Sequence, residues 1–134
     1  MAEVCVNRFS LTELSGNRVR IGASYTVKPT AMELRLGSPV QVWFRLKSYN
    51  HKDKAAIIIE NAGFRPFTDR DEDASVWMSA GVFTGYVSAY FTRTIPRENL
   101  PGEAQSGSWS LVAACRSDLI TDMDYSSEVV AGLI

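Results

Sequence analysis

The sequence predicts an all-β fold, an antiparallel β-sandwich of about eight strands with a jelly-roll or immunoglobulin-like arrangement. Apolar and polar residues alternate along several short runs, which is the pattern of half-buried strands. Turn-forming residues separate these runs at short intervals, as is typical of sandwiches and barrels. The chain has 134 residues, the length of one domain, so we expect residues 1–134 to form a single sandwich.

The alternation is clearest in residues 18–27, where every second side chain is apolar. One face of that predicted strand carries Val19, Ile21, Ala23, Tyr25 and Val27. The same pattern recurs in residues 40–47, 86–92 and 108–116. We expect the apolar faces of these four strands to form the core between two sheets.

Two further segments near the N-terminal half fit the same interpretation. In residues 32–36, Met32, Leu34 and Leu36 alternate with charged residues, which we interpret as another short strand. In residues 4–11, the apolar positions change from even to odd numbers. A β-bulge, which inserts one extra residue into a strand, explains such a change of phase.

Two segments are ambiguous between strand and helix. Residues 53–61 fit either a short helix that ends near Gly63 or a buried strand, and the three consecutive isoleucines favour the strand. Residues 126–134 fit either a last strand or a short helical turn at the C-terminus. The apolar end of this tail packs either on the core of its own domain or on another molecule.

The composition excludes several classes of protein. Lys and Arg number 14 and Asp and Glu 15, a net charge of −1, so we expect no nucleic-acid partner. We also expect no membrane partner, since no apolar run reaches the roughly 18 residues of a membrane helix. The start of the chain lacks the signal-peptide pattern, so we expect folding in the cytoplasm, where Cys5 and Cys115 stay reduced and buried. The alternative is a disulfide between them, if the first and last strands lie side by side.

An acidic run at Asp69, Asp71 and Asp73 is the candidate metal site. Alternate carboxylates in a loop can point at one Ca²⁺ ion, which takes oxygen ligands in flexible geometry, and residues 118–124 could add carboxylates. The EF-hand pattern fails, since Ala74 and Ala80 stand where Gly and Glu are needed. The alternative is a solvated acidic loop that protects the next strand from aggregation.

Aromatic residues on the polar faces of predicted strands are the candidate interface. Trp43, Tyr86 and Tyr90 lie opposite the apolar side chains of their strands, and exposed aromatic residues are typical of protein contact surfaces. Together with Trp77 they also suit stacking on sugar rings. The alternative is that a covering loop buries both faces of these strands.

A long extended loop at residues 94–107 carries two apolar residues, Ile95 and Leu100. Loops of this length are usually functional or disordered, and an extended arm with apolar anchors can reach a neighbouring subunit. Leu133 and Ile134 of the tail are interface candidates for the same reason. The alternative is a crossover loop whose apolar residues fill the core of the domain itself.

These features favour a non-enzymatic interaction or assembly protein, a structural subunit of a larger particle such as a phage capsid decoration or tail component in a virion. Its partner is another protein or further copies of the same chain. The alternatives are a carbohydrate- or Ca²⁺-dependent binding module and a small hydrolase that uses carboxylates. The chain has one histidine, His51, and no motif of nucleophilic catalysis, so we expect no catalytic residue and no cofactor other than Ca²⁺.

Overall fold

In a computed structural model the chain forms two β-sheets packed face to face, which confirms the predicted all-β sandwich. The structure describes residues 1–48, 58–59, 66–67, 75–100, 107–119 and 122–134. Their strands are β1 (Glu3–Leu14), β2 (Arg18–Lys28), β3 (Val40–Ser48), β4 (Ile58–Ile59), β5 (Ser75–Phe83), β6 (Val87–Pro96), β7 (Ser108–Ser117), β8 (Asp124–Tyr125) and β9 (Val129–Gly132). One helix, α1 (Ala31–Leu36), and one 3₁₀ turn (Arg97–Asn99) complete these ranges.

The strands divide into a three-stranded sheet with the order β1-β2-β6 and a six-stranded sheet with the order β4-β5-β3-β7-β8, in which β9 also pairs with β7. All pairs are antiparallel except β4 with β5. The chain crosses from one sheet to the other between β2 and β3, between β5 and β6, and between β6 and β7. The predicted strand within residues 53–61 is present at Ile58–Ile59; the other residues of that segment lie outside the described ranges.

The core lies between the two sheets and is built from the predicted apolar faces. The even-numbered apolar residues of β3 and the odd-numbered ones of β2 are all buried. At its centre the ring of Phe44 lies 5.2 Å from that of Tyr25 and 4.8 Å from that of Phe91, measured between centroids. These contacts join β3 of one sheet to β2 and β6 of the other, so aromatic packing stabilises the face-to-face arrangement.

Both features predicted for the ends of the chain can now be assigned. The register of β1 against β2 shifts between Val6 and Arg8, which confirms the predicted bulge. The tail forms strand β9 and a parallel bridge between Leu133 and Leu11, so the helical alternative is wrong. The backbone of Ile134 also bonds to β1, through its N–H to Leu11 O at 3.0 Å and its carbonyl to Glu13 N at 2.7 Å. The tail therefore connects β7 of one sheet to β1 of the other.

The predicted strand at residues 32–36 is wrong, because these residues form helix α1. The Thr30 hydroxyl accepts from the backbone N–H of Glu33, and a Glu33 carboxylate oxygen accepts from the backbone N–H of Thr30 at 2.8 Å. This reciprocal capping box satisfies two N-terminal donors of the helix. Gly37 ends the helix with φ at 63°, a left-handed conformation that glycine adopts without strain.

Glu33 is the buried residue of α1, with 1% of its surface exposed. Burial alone opposes ionisation of this carboxyl, but hydrogen bonds from Ser117 and Thr30 outweigh it, and the pKa is lowered from 4.5. A lowered pKa in the folded state means that the ionised carboxylate stabilises the fold. This contribution is complete above the pKa of the unfolded chain and is lost as the pH falls through the lowered value.

We predict that Glu33→Gln lowers the free energy of unfolding at pH 7 by about 1–2 kcal/mol, because a charge-assisted hydrogen bond is lost. Urea unfolding followed from pH 7 to pH 3 should show the wild type losing stability below about pH 4.5, with the variant losing less. Glu128→Gln, at an exposed position, is the control and should match the wild type at pH 7. A Glu33→Gln curve parallel to that of the wild type at every pH would contradict the assignment.

Candidate interaction surface

Six large apolar side chains are exposed at one end of the sandwich, and we call this surface the apolar end. It consists of Met32, Leu34 and Leu36 of α1, Val82 of β5, Tyr86 of the β5–β6 turn and Leu119 after β7. The exposed fraction of these side chains runs from 36% for Leu34 to 68% for Tyr86. Isolated exposed apolar residues are ordinary, whereas a group of them at one place marks an interaction site.

The strand register places all six residues at the same end. Val40, the first residue of β3, pairs with Phe83 at the end of β5 and with Ser117 at the end of β7. In the other sheet, Val27 near the end of β2 pairs with Val87 at the start of β6. Helix α1 connects β2 to β3, which are the middle strands of the two sheets. The helix therefore lies at the centre of this end, between the β5–β6 turn and the segment after β7.

The buried carboxylate explains why α1 exposes its apolar side chains. Because Glu33 faces the protein, the helix residues before and after it turn towards the solvent. Met32 and Leu36 lie four residues apart and therefore on the same side of the helix. The helix therefore buries its carboxylate and exposes its leucines to the solvent, the opposite of an ordinary amphipathic helix.

The sequence contains a signal for helix α1, but the alternation of apolar and charged residues in the same segment favoured a strand. Thr30 and Glu33 are spaced as in a capping box, and Gly37 stands where a helix would end. Period-two alternation in so short a run competes with that signal. We expected Met32, Leu34 and Leu36 to be buried, and the structure exposes all three.

Two of the aromatic residues expected on outer strand faces are buried. Trp43 and Trp77 each have 3% of their surface exposed. They form a second apolar cluster with Phe67, Val112 and Ala114 on the outer face of the six-stranded sheet. The expectation of an exposed Trp43 is therefore wrong, and neither tryptophan offers a ring to a sugar. The covered-face alternative describes this sheet.

The cover over that outer face is held in place by specific contacts. The Phe67 ring lies 5.5 Å from Trp77, and the Arg45 guanidinium lies 5.3 Å from the centre of the Phe67 ring. The Tyr125 hydroxyl donates to the carbonyl of Pro66 at 2.8 Å. Phe67, which is far from β3 in sequence, thus belongs to the cluster in which Trp43 is buried.

The expected apolar arm and tail also serve the protein's own core. Ile95 and Leu100 are buried in the main cluster, and Leu133 packs against it. Residues 94–96 continue β6, and Arg97–Asn99 form the 3₁₀ turn. In the described part of residues 94–107 the expectation of an extended arm is therefore wrong. The Ile134 side chain remains exposed, although its backbone bonds to β1.

Tyr86 and Tyr90 are exposed, as expected from their strand faces, with exposed fractions of 68% and 65%. They lie on different surfaces. Tyr86 belongs to the apolar end, and Tyr90 projects from β6 on the outer face of the three-stranded sheet. The alternation predicted Tyr86 and Tyr90 on the same outer face of one strand. Tyr86 instead lies in the turn before Val87, so the two rings are on different surfaces.

The expected Ca²⁺ ligands Asp69, Asp71 and Asp73 lie outside the described residues. Of the additional carboxylates, Asp124 accepts a hydrogen bond from the backbone N–H of Val4 at 3.0 Å, which attaches β8 to β1. Within the ranges that the structure describes, no group of three or more His, Cys, Asp or Glu residues is placed to hold a metal ion. His51 also lies outside these ranges. No described helix has the length and apolar character needed to cross a membrane.

The two cysteines are free thiols in different environments. Cys115 is buried, and its thiol donates to the Ala2 carbonyl at 3.5 Å. Burial, with the nearby charges of Asp124, Glu33 and Glu3, raises the pKa of Cys115 to about 12. Since the thiolate is the nucleophile, this side chain is unsuited to covalent catalysis. Cys5 is exposed, so the expectation that both cysteines are buried is wrong for Cys5.

Comparison with known proteins gives no assignment, since neither the family models nor the curated proteins contain a match to this chain.

We predict that one of the two thiols in the native protein reacts rapidly with Ellman's reagent at pH 8, because Cys5 is exposed and Cys115 is buried. Cys5→Ser should abolish the rapid native reaction, and Cys115→Ser should retain it. Both thiols should react in guanidinium chloride. Rapid labelling of Cys115 in the folded Cys5→Ser protein would show that the described burial is incorrect.

Proposed function

We propose that this chain is a non-enzymatic assembly protein whose copies associate through the apolar end, as a subunit of a larger particle such as a virion. The observation that carries the proposal is helix α1, which buries a carboxylate and exposes Met32, Leu34 and Leu36. This arrangement exposes apolar surface to water, a cost that association would remove.

A second copy of the chain is the occupant that the charges favour. The net charge is −1, so copies repel one another weakly. Within the apolar end, Arg35 of α1 and Asp118 after β7 are both exposed. In a two-fold symmetric contact, Arg35 of each copy can face Asp118 of the other, because such an interface pairs the same two positions twice.

The composition of the surface also supports association, since its exposed apolar side chains include three from one helix and a tyrosine. A specific interface buries about 800 Å² on each partner, apolar at its centre and polar at its rim. The charged residues beside α1 would supply that rim.

Other features support the non-enzymatic part of the proposal. The buried thiol of Cys115 has a pKa of about 12 and is a poor nucleophile. Trp43 and Trp77 are covered by Phe67, which weakens the alternative in which they stack on sugars. Ile95, Leu100 and Leu133, which were candidates for an interface, pack in or against the core, so the proposal depends on α1.

We predict that the wild type associates reversibly as its concentration rises and that Leu36→Glu prevents this. Burying a leucine contributes roughly 1.5–3 kcal/mol, and a glutamate there adds an unpaired charge, so the dissociation constant should rise by at least about tenfold. Sedimentation velocity from micromolar to millimolar concentration measures the change.

The matched control is Val130→Glu on β9, an exposed apolar position that lies outside the apolar end and receives the same charge. It should associate like the wild type. A wild type that stays monomeric at millimolar concentration would contradict the proposal, as would equal weakening by the two variants.

A further inference from the structure

A shallow groove crosses the outer face of the three-stranded sheet, away from the apolar end. The residues that line it include Gly22 and Ser24 of β2, Arg8 and Ser10 of β1 and Tyr90 of β6. The volume of this depression is about 500 Å³, the size range of sites for small ligands. We call it the β2 groove.

The groove follows from register and side-chain size. Arg8, Ser24 and Tyr90 lie side by side across the three strands. The small residue in the middle strand leaves a gap between two long ones. The bulge before Arg8 is what turns this side chain outward, since apolar residues point inward at even positions before the bulge and at odd positions after it.

Tyr90 lies across the backbone of Gly22 in the neighbouring strand. A Cβ atom on Gly22 would overlap the Tyr90 hydroxyl and would lie 3.0 Å from Ser10 Oγ. Covering a strand glycine with an aromatic ring is a recognised way of stabilising a sheet. The ring is nevertheless 65% exposed, so it presents a flat aromatic surface beside the groove.

The charge of this face selects the ligand. The outward positions of its three strands carry four cationic side chains, Arg8, Arg18, Arg20 and Lys28, and one carboxylate, Glu3. The chain as a whole has a net charge of −1, so this face is distinctly basic. Arg18 donates to the Ser15 carbonyl, whereas the guanidinium of Arg8 makes no hydrogen bond or ion pair with the described residues.

We infer that the β2 groove binds a carboxylated sugar, such as a uronic or sialic acid residue. Arg8 pairs with the carboxylate through its planar set of donors. The exposed Tyr90 ring stacks against the C–H face of the sugar, where the negative face of the ring meets polarised hydrogens. The hydroxyls of Ser10 and Ser24 bond to the sugar hydroxyls.

The same observations favour a sugar over an acidic peptide. The lining combines the cation of Arg8 with the hydroxyls of Ser10 and Ser24 and the exposed ring of Tyr90. A saccharide ring offers a flat apolar face and a rim of hydroxyls that match this lining, whereas an aspartate or glutamate side chain would use the cation alone. This inference is independent of the proposed assembly role, since the two surfaces share no residue.

The test is a titration of the full ¹⁵N-labelled chain with glucuronic acid and N-acetylneuraminic acid, followed by amide chemical shifts. Glucose and a tetraglutamate peptide are the comparison ligands. We expect concentration-dependent shifts around Arg8, Ser24 and Tyr90 with the two acidic sugars, and weaker or no shifts with glucose. The absence of shifts at these positions, or equal shifts with glucose, would overturn the inference. Larger shifts with tetraglutamate than with the sugars would assign the groove to an acidic protein instead.

Variants separate the parts of the site. Arg8→Gln should weaken binding of the acidic sugars by about tenfold or more, because a charge-assisted pair is lost. Tyr90→Ala should weaken it similarly, and Tyr90→Phe should retain most of it because the stacking ring remains. The controls Arg35→Gln and Tyr86→Ala alter an exposed arginine and an exposed tyrosine outside the groove, and both should bind like the wild type.

A further control keeps this inference distinct from the assembly role. Leu36→Glu, which should prevent self-association, should bind the acidic sugars like the wild type. A loss of sugar binding in that variant would overturn the assignment to the β2 groove, because the site would then require the associated state.

Discussion

The carboxylate of Glu33 lies beneath helix α1, accepts the backbone N–H of Thr30 and is held in its ionised form by its hydrogen-bonding neighbours. The orientation of the helix depends on this buried charge. An ionised carboxylate is costly to bury unless it is hydrogen-bonded. Because a rotation that buried the leucines of α1 would break the hydrogen bonds of Glu33, the helix keeps its orientation. The exposed apolar side chains of α1 are a consequence of that constraint.

The rest of the sandwich is covered more thoroughly than an alternating sequence suggests. Phe67 closes the outer face of the six-stranded sheet over Trp43 and Trp77. The tail links β7 to β1 and so joins the two sheets at one edge. Elsewhere in the described ranges, most large apolar residues belong to one of two buried clusters. The side chains of Met32, Leu34 and Leu36 in α1 are an exception and remain exposed.

The opposite edge of the sandwich, at β6, is protected by a charged side chain. Strand β6 ends the three-stranded sheet, and an open strand edge invites pairing with other chains. Arg93 points inward from β6, donates to the Ser79 carbonyl of β5 at 3.2 Å and lies over the Phe91 ring. An inward-facing charge on an edge strand discourages edge-to-edge pairing. Arg93 therefore opposes extension of the three-stranded sheet at this edge.

Much of the fold was predictable from the sequence because period-two alternation reports which residues face the core. The inward faces of β2, β3 and β7 and the bulge in β1 follow from this pattern alone. The alternation fails where a second apolar cluster covers the outer face, since Trp43 alternates with core residues yet is buried in a cluster that includes Phe67 from a distant segment. It also fails at α1, where five residues fit a strand and a capped helix equally well and the tertiary position of Glu33 decides. The β2 groove escaped prediction because it depends on the register of three strands.

The central claim, that copies of the chain associate through the apolar end, is tested most directly by cross-linking. In a chain carrying Cys5→Ser, a cysteine introduced by Leu36→Cys lies at the centre of the apolar end, and Val130→Cys in the same background serves as the control. Under mild oxidation we predict disulfide-linked dimers of the Leu36→Cys protein at concentrations where the Val130→Cys protein remains largely monomeric. Equal yields of the two dimers, or no dimer of the Leu36→Cys protein, would contradict the account.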